Sequence, residues 1–270
     1  MNRFVCWILT GLMFFCGVIG NAQEATESHA RTEYLLSRAD LMMLQTFGDE
    51  DGKVKISRVQ DPILKFKNPL YEAQSDGVLV VWVADEVPVA FASYSIRKEK
   101  VIFRELATSS DVPLRCSIGD RVVWAPEPKF TRRPLDSTTT VPSDARVRLR
   151  IMKRQGERFN NGNHRILPTP LYRYQSEEQG IVDGAVFALS DTNDPEMLIL
   201  IEAAKPSENA AAIWRYTLAR MNSQPRQVRL DGQVVWELSG YWNNPKSAKD
   251  PYVEAMDSEL PEHLRLDSVK

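Results

Sequence analysis

Apolar runs of six or seven residues come in pairs along this chain, and each pair is split by an acidic turn with a proline just beyond. VLVVWVA (78–84) and VAFASY (89–94) flank Asp85-Glu86-Val87-Pro88. AVFALS (185–190) and MLILIEA (197–203) flank Asp191-Thr192-Asn193-Asp194-Pro195. Such a run, a turn rich in Asp and Pro, and a second run predict a β-hairpin. Asp231-Gly232, between Val228-Arg229-Leu230 and Val234-Val235-Trp236, is a stronger hairpin signal, because both positions of a two-residue turn need φ above zero. The pattern predicts two antiparallel meanders of roughly five or six strands each.

A helix is expected before each meander. In the second, Pro142-Ser143-Asp144 reads as an N-cap, with Val147, Ile151 and Phe159 near helical spacing until Asn160-Asn161-Gly162. In the first, Glu24 to Phe47 is helix-compatible, with Tyr34, Leu35, Leu41, Met42 and Leu44 apolar and Gly48 as the stop. Each helix is expected to lay its apolar stripe on a sheet face.

The landmarks recur in the same order in both halves. Pro-Leu-Tyr-x-x-Gln-Ser occurs at 69–75 and 170–176, preceded by Ile63-Leu64 and Ile166-Leu167. Asp76-Gly77 matches Asp183-Gly184, Ile102-Phe103-Arg104 matches Ile213-Trp214-Arg215, and Arg121-Val122-Val123-Trp124 matches Gln233-Val234-Val235-Trp236. Kept order with drift confined to loops is the mark of a duplicated unit. The fold expectation is therefore α+β: two units, each a helix followed by an antiparallel β-meander, in a pseudo-two-fold arrangement sharing a sheet edge or a sheet face. Residues 1–22 read as a signal peptide, 23–130 as the first repeat unit, 131–142 as a linker rich in Thr, Ser and Pro, and 143–240 as the second unit. Residues 241–270 read as a loosely attached polar tail with a short helix near Ala255. The tryptophans Trp82, Trp124, Trp214 and Trp236 sit beside valines and suit core packing better than a sugar-stacking platform. Within the repeated Pro-Leu-Tyr, the shared residues are expected to be scaffold. Arg173 and Tyr174, where the other copy has Glu72-Ala73, are the candidates for recognition.

The first residues carry an address. Arg3, the apolar run Phe4 to Ile19 and the small residues Gly20-Asn21-Ala22 predict cleavage between Ala22 and Gln23. That implies export to the periplasm or cell surface with no membrane span afterwards; an uncleaved anchor is the alternative. Cys6 and Cys16 go with the signal, which leaves Cys116 alone and the fold dependent on its own core. A composition of 43% hydrophobic and 26% charged residues is that of a folded domain, and a net charge of −2 provides no global pull toward nucleic acid or an anionic membrane.

The stretches SDARVRLRIMKRQGERF, RILPTPLYRY, DGAVFALSDTNDPEMLILIEA, WRYTLARM and VRLDGQVVW resemble a family of exported proteins of planctomycete-type bacteria, with the first half similar more loosely. The resemblance covers most of the chain and brings no assigned activity. Family members carry Trp-His-Glu-Phe where this chain has Ile102-Phe103-Arg104-Glu105, so any role of that histidine does not carry over.

The candidate chemistry is sparse. His29, His164 and His263 are far apart, no metal-ligand spacing or calcium loop occurs, and no metal or cofactor is expected. No nucleophile elbow or glycine-rich phosphate loop is present. Glu105 and Glu202 lie in apolar strand contexts and read either as solvated edge residues or ion-pair partners, or as paired carboxylates whose proximity the fold decides. Arg104 and Arg215, at matching positions, read as solvent-facing residues, as ion-pair partners of Glu202 or Asp183, or as an anion contact between the units. Arg146, Arg150, Lys153 and Arg154 share a helix face. That face is either solvated and offset by the acidic tail, or a surface for anionic polymers outside the cytoplasm.

The reading is an exported non-enzymatic binding or structural module, whose partner is an acidic polysaccharide or a cell-envelope protein and not nucleic acid. A hydrolase using carboxylates in an inter-repeat cleft and an assembly subunit joining through sheet edges are the alternatives.

Overall fold

Read from the N-terminus, the described residues form a helix and eight strands, a two-residue strand, then a helix and eight strands again, and a last strand. The first series is α1 (25–40), β1 (Met42–Thr46), β2 (Ile56–Arg58), β3 (Leu64–Asn68), β4 (Ser75–Ala84), β5 (Val87–Arg97), β6 (Val101–Thr108), β7 (Leu114–Ile118) and β8 (Arg121–Trp124). After β9 (Arg133–Pro134) come α2 (Ala145–Gly156), β10 (Phe159–Asn160), β11 (Arg165–Ile166), β12 (Tyr172–Ser176), β13 (Ile181–Ser190), β14 (Pro195–Ala204), β15 (Ile213–Arg220), β16 (Arg226–Leu230) and β17 (Gln233–Leu238). β18 (Tyr252–Glu259) closes the series. This computed structural model describes residues 25–46, 54–68, 75–127, 132–135, 139–162, 165–190, 193–241 and 247–265.

The pairings are antiparallel and build an α+β fold. One large sheet has the order β18-β6-β5-β4-β2, with β3 also on β4. The other has the order β11-β13-β14-β15-β9, with β12 also on β13. Two small sheets, β1-β7-β8 and β10-β16-β17, complete the set.

Alternation sets the layering. β4 sends Val78, Val80 and Trp82 into one apolar cluster and Leu79, Val81 and Val83 into another, as the two-residue period of a strand requires. β13 divides Ala185, Phe187 and Leu189 from Val186 and Ala188 in the same way. Strands covered on both faces read as unbroken apolar runs. The two large sheets thus meet face to face over a shared middle layer that includes Leu79, Val81, Phe91, Val186, Leu198 and Leu200. On the outer face of the first sheet lie Leu35 and Ala39 of α1 with Leu114, Cys116 and Trp124 of the small sheet. On the outer face of the second lie Met152 of α2, Phe159 and Val228.

Local chemistry explains the ends and turns. The Asp144 carboxylate accepts from the backbone N–H of Arg146 (2.7 Å) and Val147 (2.9 Å), the N-cap expected from sequence; these two bonds hold its carboxyl below the usual range. Asp231 (φ 50°) and Gly232 (φ 83°) turn the β16–β17 hairpin with both φ positive, as the sequence predicts. Asp85 (φ 49°) and Glu86 (φ 67°) do so between β4 and β5.

Several expectations need correction. The first helix ends at 40 rather than at Phe47, because Met42 and Leu44 alternate inward with Met43 and Gln45 outward and pair with β7. The second helix ends at Gly156, and Phe159–Asn160 pairs with Leu230 and Arg229. The linker contributes β9 to the edge of β15. The tail is no loose extension: Ala255 lies in strand β18, paired with β6 from Tyr252↔Ala107 to Glu259↔Val101.

The repeated Pro-Leu-Tyr also changes meaning. Leu171 N–H donates to Val186 O (2.8 Å) as Ile63 N–H donates to Leu79 O (2.9 Å), and Leu167 N–H reaches Ala188 O (2.8 Å) as Val59 N–H reaches Val81 O (3.0 Å). Pro170-Leu171-Tyr172 therefore takes the place of Pro62-Ile63-Leu64, not of Pro69-Leu70-Tyr71, and residues 69–74 lie outside the described residues. Three residues on from Ile63 and Leu171, Phe66 lies opposite Gly77 and Tyr174 opposite Gly184. In both places an aromatic ring covers the glycine so closely that a Cβ would sit 2.3 Å from Phe66 or 2.5 Å from Tyr174.

Candidate functional site

Three buried polar clusters absorb most of the residues singled out from sequence. The first lies in the middle layer. Glu202, 2% exposed, stands opposite Arg215 in the β14–β15 register. Arg215 Nε donates to Glu202 Oε2 at 2.6 Å, Tyr174 Oη donates to Oε1 at 2.9 Å, and Arg132 Nε lies 3.7 Å from Oε2. Burial, and then the neighbouring carboxylate, push the Tyr174 hydroxyl well above its ordinary range. Tyr172 stacks on Tyr174 with ring centroids 6.1 Å apart. The expected Arg215–Glu202 ion pair is present, and Tyr174 is a buried support rather than part of a recognition strip.

Arg104 lies elsewhere. Gly77 pairs with Ser95 and Ser95 with Phe103, whereas Gly184 pairs with Glu202 and Glu202 with Arg215. Phe103, not Arg104, stands where Arg215 stands, and a one-residue slip moves a side chain to the other face of a sheet. Arg104 points to the outer side with Ile102 and Leu106. There its Nη1 donates to Asp257 Oδ1 (2.6 Å), while Arg38 Nε of α1 donates to Oδ2 (2.7 Å). The predicted equivalence of Arg104 and Arg215 is thus overturned, and so is an ion pair of Arg104 with Glu202 or Asp183. The partner that sequence reasoning missed is Asp257, on the strand taken for a loose tail.

The third cluster surrounds Glu105, 6% exposed, on the middle-layer face of β6. Tyr252 Oη of β18 donates to its Oε1 at 2.5 Å, and the Arg220 guanidinium lies 4.9 Å from the Tyr252 ring centroid. Burial first, then the nearby Asp194 carboxylate, push the Glu105 carboxyl from 4.5 up to about 8, against the opposing effects of the Tyr252 hydrogen bond and Arg97. The fold therefore holds this proton more tightly than the unfolded chain does. The contribution of Glu105 is most favourable below about pH 4.5 and is lost as pH rises toward about 8. Ser93 lies opposite Glu105, and its Oγ is buried without a partner among the described residues.

Each helix is fastened to its sheet by an arginine and the aspartate of the Asp-Gly pair. Arg31 Nε donates to Asp76 Oδ2 (2.5 Å), and Ser28 Oγ donates to Oδ1 (2.8 Å). Arg148 Nε donates to Asp183 Oδ2 (2.8 Å). Arg173 adds two bonds to Asp183 (2.9 and 2.6 Å) and one to Ala145 O (2.8 Å), so it anchors the start of α2. The sequence signal was the repeated Asp-Gly. What it did not show is that Arg31 and Arg148 lie buried under their helices.

The basic row is different. Arg146, Arg150 and Arg154 are exposed, Lys153 is half-buried, and none of the four makes an ion pair among the described residues. Three of the tail acids expected to offset them are engaged elsewhere: Glu254 with Arg97, Asp257 with Arg38 and Arg104, and Glu259 with Lys100 and Arg265.

Cys116 is fully buried, and burial pushes its thiol up to about 12. Among the described residues no group of His, Cys, Asp and Glu is arranged to hold a metal ion. An open cleft of about 290 Å³ is lined by Ser176, Glu177, Gly180, Ile181 and Lys205 among others, and Glu105 and Glu202 do not line it. Ala22, Gln23 and His164 lie outside the described residues. No described helix is long and apolar enough to cross a membrane. Comparisons with family profiles, with curated proteins and with solved structures give no match for this chain.

Proposed function

We propose that the protein is an exported, non-enzymatic binding or structural module of the periplasm or cell surface, built by duplication of one helix-plus-meander unit. The observation that carries the non-enzymatic reading is the state of the two carboxylates. Glu105 and Glu202 are 6% and 2% exposed, each bonded to a tyrosine hydroxyl inside an apolar layer. Acid–base work requires a carboxyl that reaches the substrate or a water, and these two face side chains. Duplication is supported by the shared element order, by matching backbone bonds onto β4 and β13, and by the aromatic-over-glycine pairs Phe66–Gly77 and Tyr174–Gly184. Export rests on the N-terminal pattern and on the resemblance to a family of exported proteins. Assembly through a sheet edge is the second reading: β18 ends its sheet among the described residues, and Met256 on it is 55% exposed.

The test is turnover of ester, glycoside, phosphoester and peptide substrates by the native protein, Glu105→Gln and Glu202→Gln, with circular dichroism as the check on folding. The module reading expects no turnover by any of the three. Hydrolysis that a folded Gln variant abolishes would establish the hydrolase instead.

A further inference from the structure

We propose that the outward face of α2, carrying Arg146, Arg150, Lys153 and Arg154, binds a linear anionic polysaccharide. The proposal rests on the module reading above and names its ligand class. Arg146, Arg150 and Arg154 follow one another at four-residue steps, about 6 Å each along a helix, so the row is about 12 Å long. Lys153 lies on the same side.

The row works against the helix that carries it. Like charges four residues apart repel, and a cation in the first turn, such as Arg146, opposes the helix dipole. The first turn holds no acidic residue, and the N-cap Asp144 carboxylate is bonded to backbone. Glu157, exposed just past the helix end, makes no ion pair with the row. The inward arginine of the same helix, Arg148, has its aspartate. Elsewhere Arg31, Arg38, Arg58, Arg97, Arg104 and Arg215 are also paired. Four cations on one rigid face, without an ion-pair partner among the described residues and with only the N-cap Asp144 acting on Arg150 from nearby, therefore need an explanation that helix stability does not supply.

The helix is also held ready. Met152 and Gly156 are buried, and Arg148, Asp183 and Arg173 tie the first turn to β13. A preorganised row loses little freedom on binding, and guanidinium groups suit carboxylate or sulfate oxygens.

The surroundings favour a polysaccharide over other polyanions. A membrane-lying helix needs an apolar face to insert, whereas Val147, Leu149 and Ile151 are half-buried, with Leu149 and Ile151 packed on the core beneath. Binding single-stranded nucleic acid commonly uses aromatic platforms, and α2 has no aromatic residue. A second copy is a poorer partner as well, because two of the three exposed acids described on α1, Glu27 and Asp40, are already paired with Arg31 and Arg58, which leaves Glu33 to face four cations.

The experiment is retention on immobilised alginate and heparin, with dextran as the neutral control. The proteins are the native chain, the Arg146→Glu/Arg150→Glu/Arg154→Glu variant, and an Arg115→Glu/Arg121→Glu control on exposed positions of β7 and β8. The native chain and the control are expected to bind an acidic polymer at ~10 mM salt and to elute toward ~1 M, where screening shortens to about 3 Å. The triple variant is expected to lose at least tenfold in affinity while keeping its helical signal, since glutamate in the first turn favours the helix. Equal retention of the triple variant, no retention of the native chain on either polymer, or tighter binding to phosphatidylserine vesicles or duplex DNA overturns the proposal. Any of these leaves the non-enzymatic reading to be decided by the turnover assays.

Discussion

Gly184→Ala is predicted to cost more than Gly77→Ala, although the two glycines sit under aromatic rings in the same way. A Cβ at 184 would lie 2.5 Å from Tyr174 Cε2, and one at 77 would lie 2.3 Å from Phe66 Cε2. Either ring must retreat by about 1 Å to reach ordinary contact, an overpacking cost of about 1–3 kcal/mol. Neither glycine has a positive φ, so alanine returns about 0.4–1 kcal/mol by restricting the unfolded chain. The difference lies at the far end of the ring. Tyr174 Oη donates to the buried Glu202 carboxylate at 2.9 Å, and moving the ring breaks a bond to a charged group worth about 1.5–3 kcal/mol. Phe66 has no such bond to lose. Urea unfolding followed by circular dichroism, at unchanged m, measures both losses. A cycle with Tyr174→Phe isolates the hydrogen bond, because in that background Gly184→Ala should cost no more than Gly77→Ala. Equal losses in the two single variants, or a cycle with no coupling, refute the reasoning.

Two further outcomes follow from the buried charges. Glu105→Gln should match the native chain near pH 4.5 and exceed it in stability by a few kcal/mol at pH 8 to 9, read as urea midpoints across pH, because the native carboxyl resists ionisation up to about 8. Arg148→Met should cost about 3 kcal/mol by leaving the buried Asp183 to Arg173; an unchanged thermal midpoint would show that the pair does not fasten α2.

The hairpins, the Asp144 cap and the α+β class were legible because each is set by local rules: turn chemistry, capping and the length of apolar runs. Register was not. Ile102-Phe103-Arg104 and Ile213-Trp214-Arg215 align as strings, yet strand pairing puts Phe103 and Arg215 on corresponding positions. A match in residue type says nothing about a one-residue slip, which only the partner strand decides. Pro-Leu-Tyr failed for the same reason: the string Pro62-Ile63-Leu64 makes the equivalent bonds without the equivalent letters. The tail is polar and interrupted by prolines, which suggested a loose extension, although its acids Glu254 and Asp257 are ion-paired. Their partners, Arg97, Arg38 and Arg104, lie about 150 to 220 residues away in the chain, a separation that no window of sequence spans. The Arg215–Glu202 pair was within reach because both fall in adjacent predicted strands.

Under the proposed duplication, the two buried carboxylates belong to positions that the units do not share. Ser95 holds the register place of Glu202, and Thr217 holds that of Glu105. Each carboxylate came with its own hydroxyl, Tyr174 from β12 for one and Tyr252 from β18 for the other. A carboxyl buried in that layer without such a partner is costly, so Glu105 and the C-terminal strand form one matched addition to the first unit. Arg220 from the second unit, lying over the Tyr252 ring, joins that addition to the other sheet. The helices diverge too: outward positions of α1 carry Glu27, Glu33 and Asp40, whereas those of α2 carry Arg146, Arg150 and Arg154. Shared positions maintain the scaffold, and the differences divide into those with an internal partner and those without one. The row on α2 has no ion-pair partner among the described residues, which leaves its charge to an outside ligand under the proposal above.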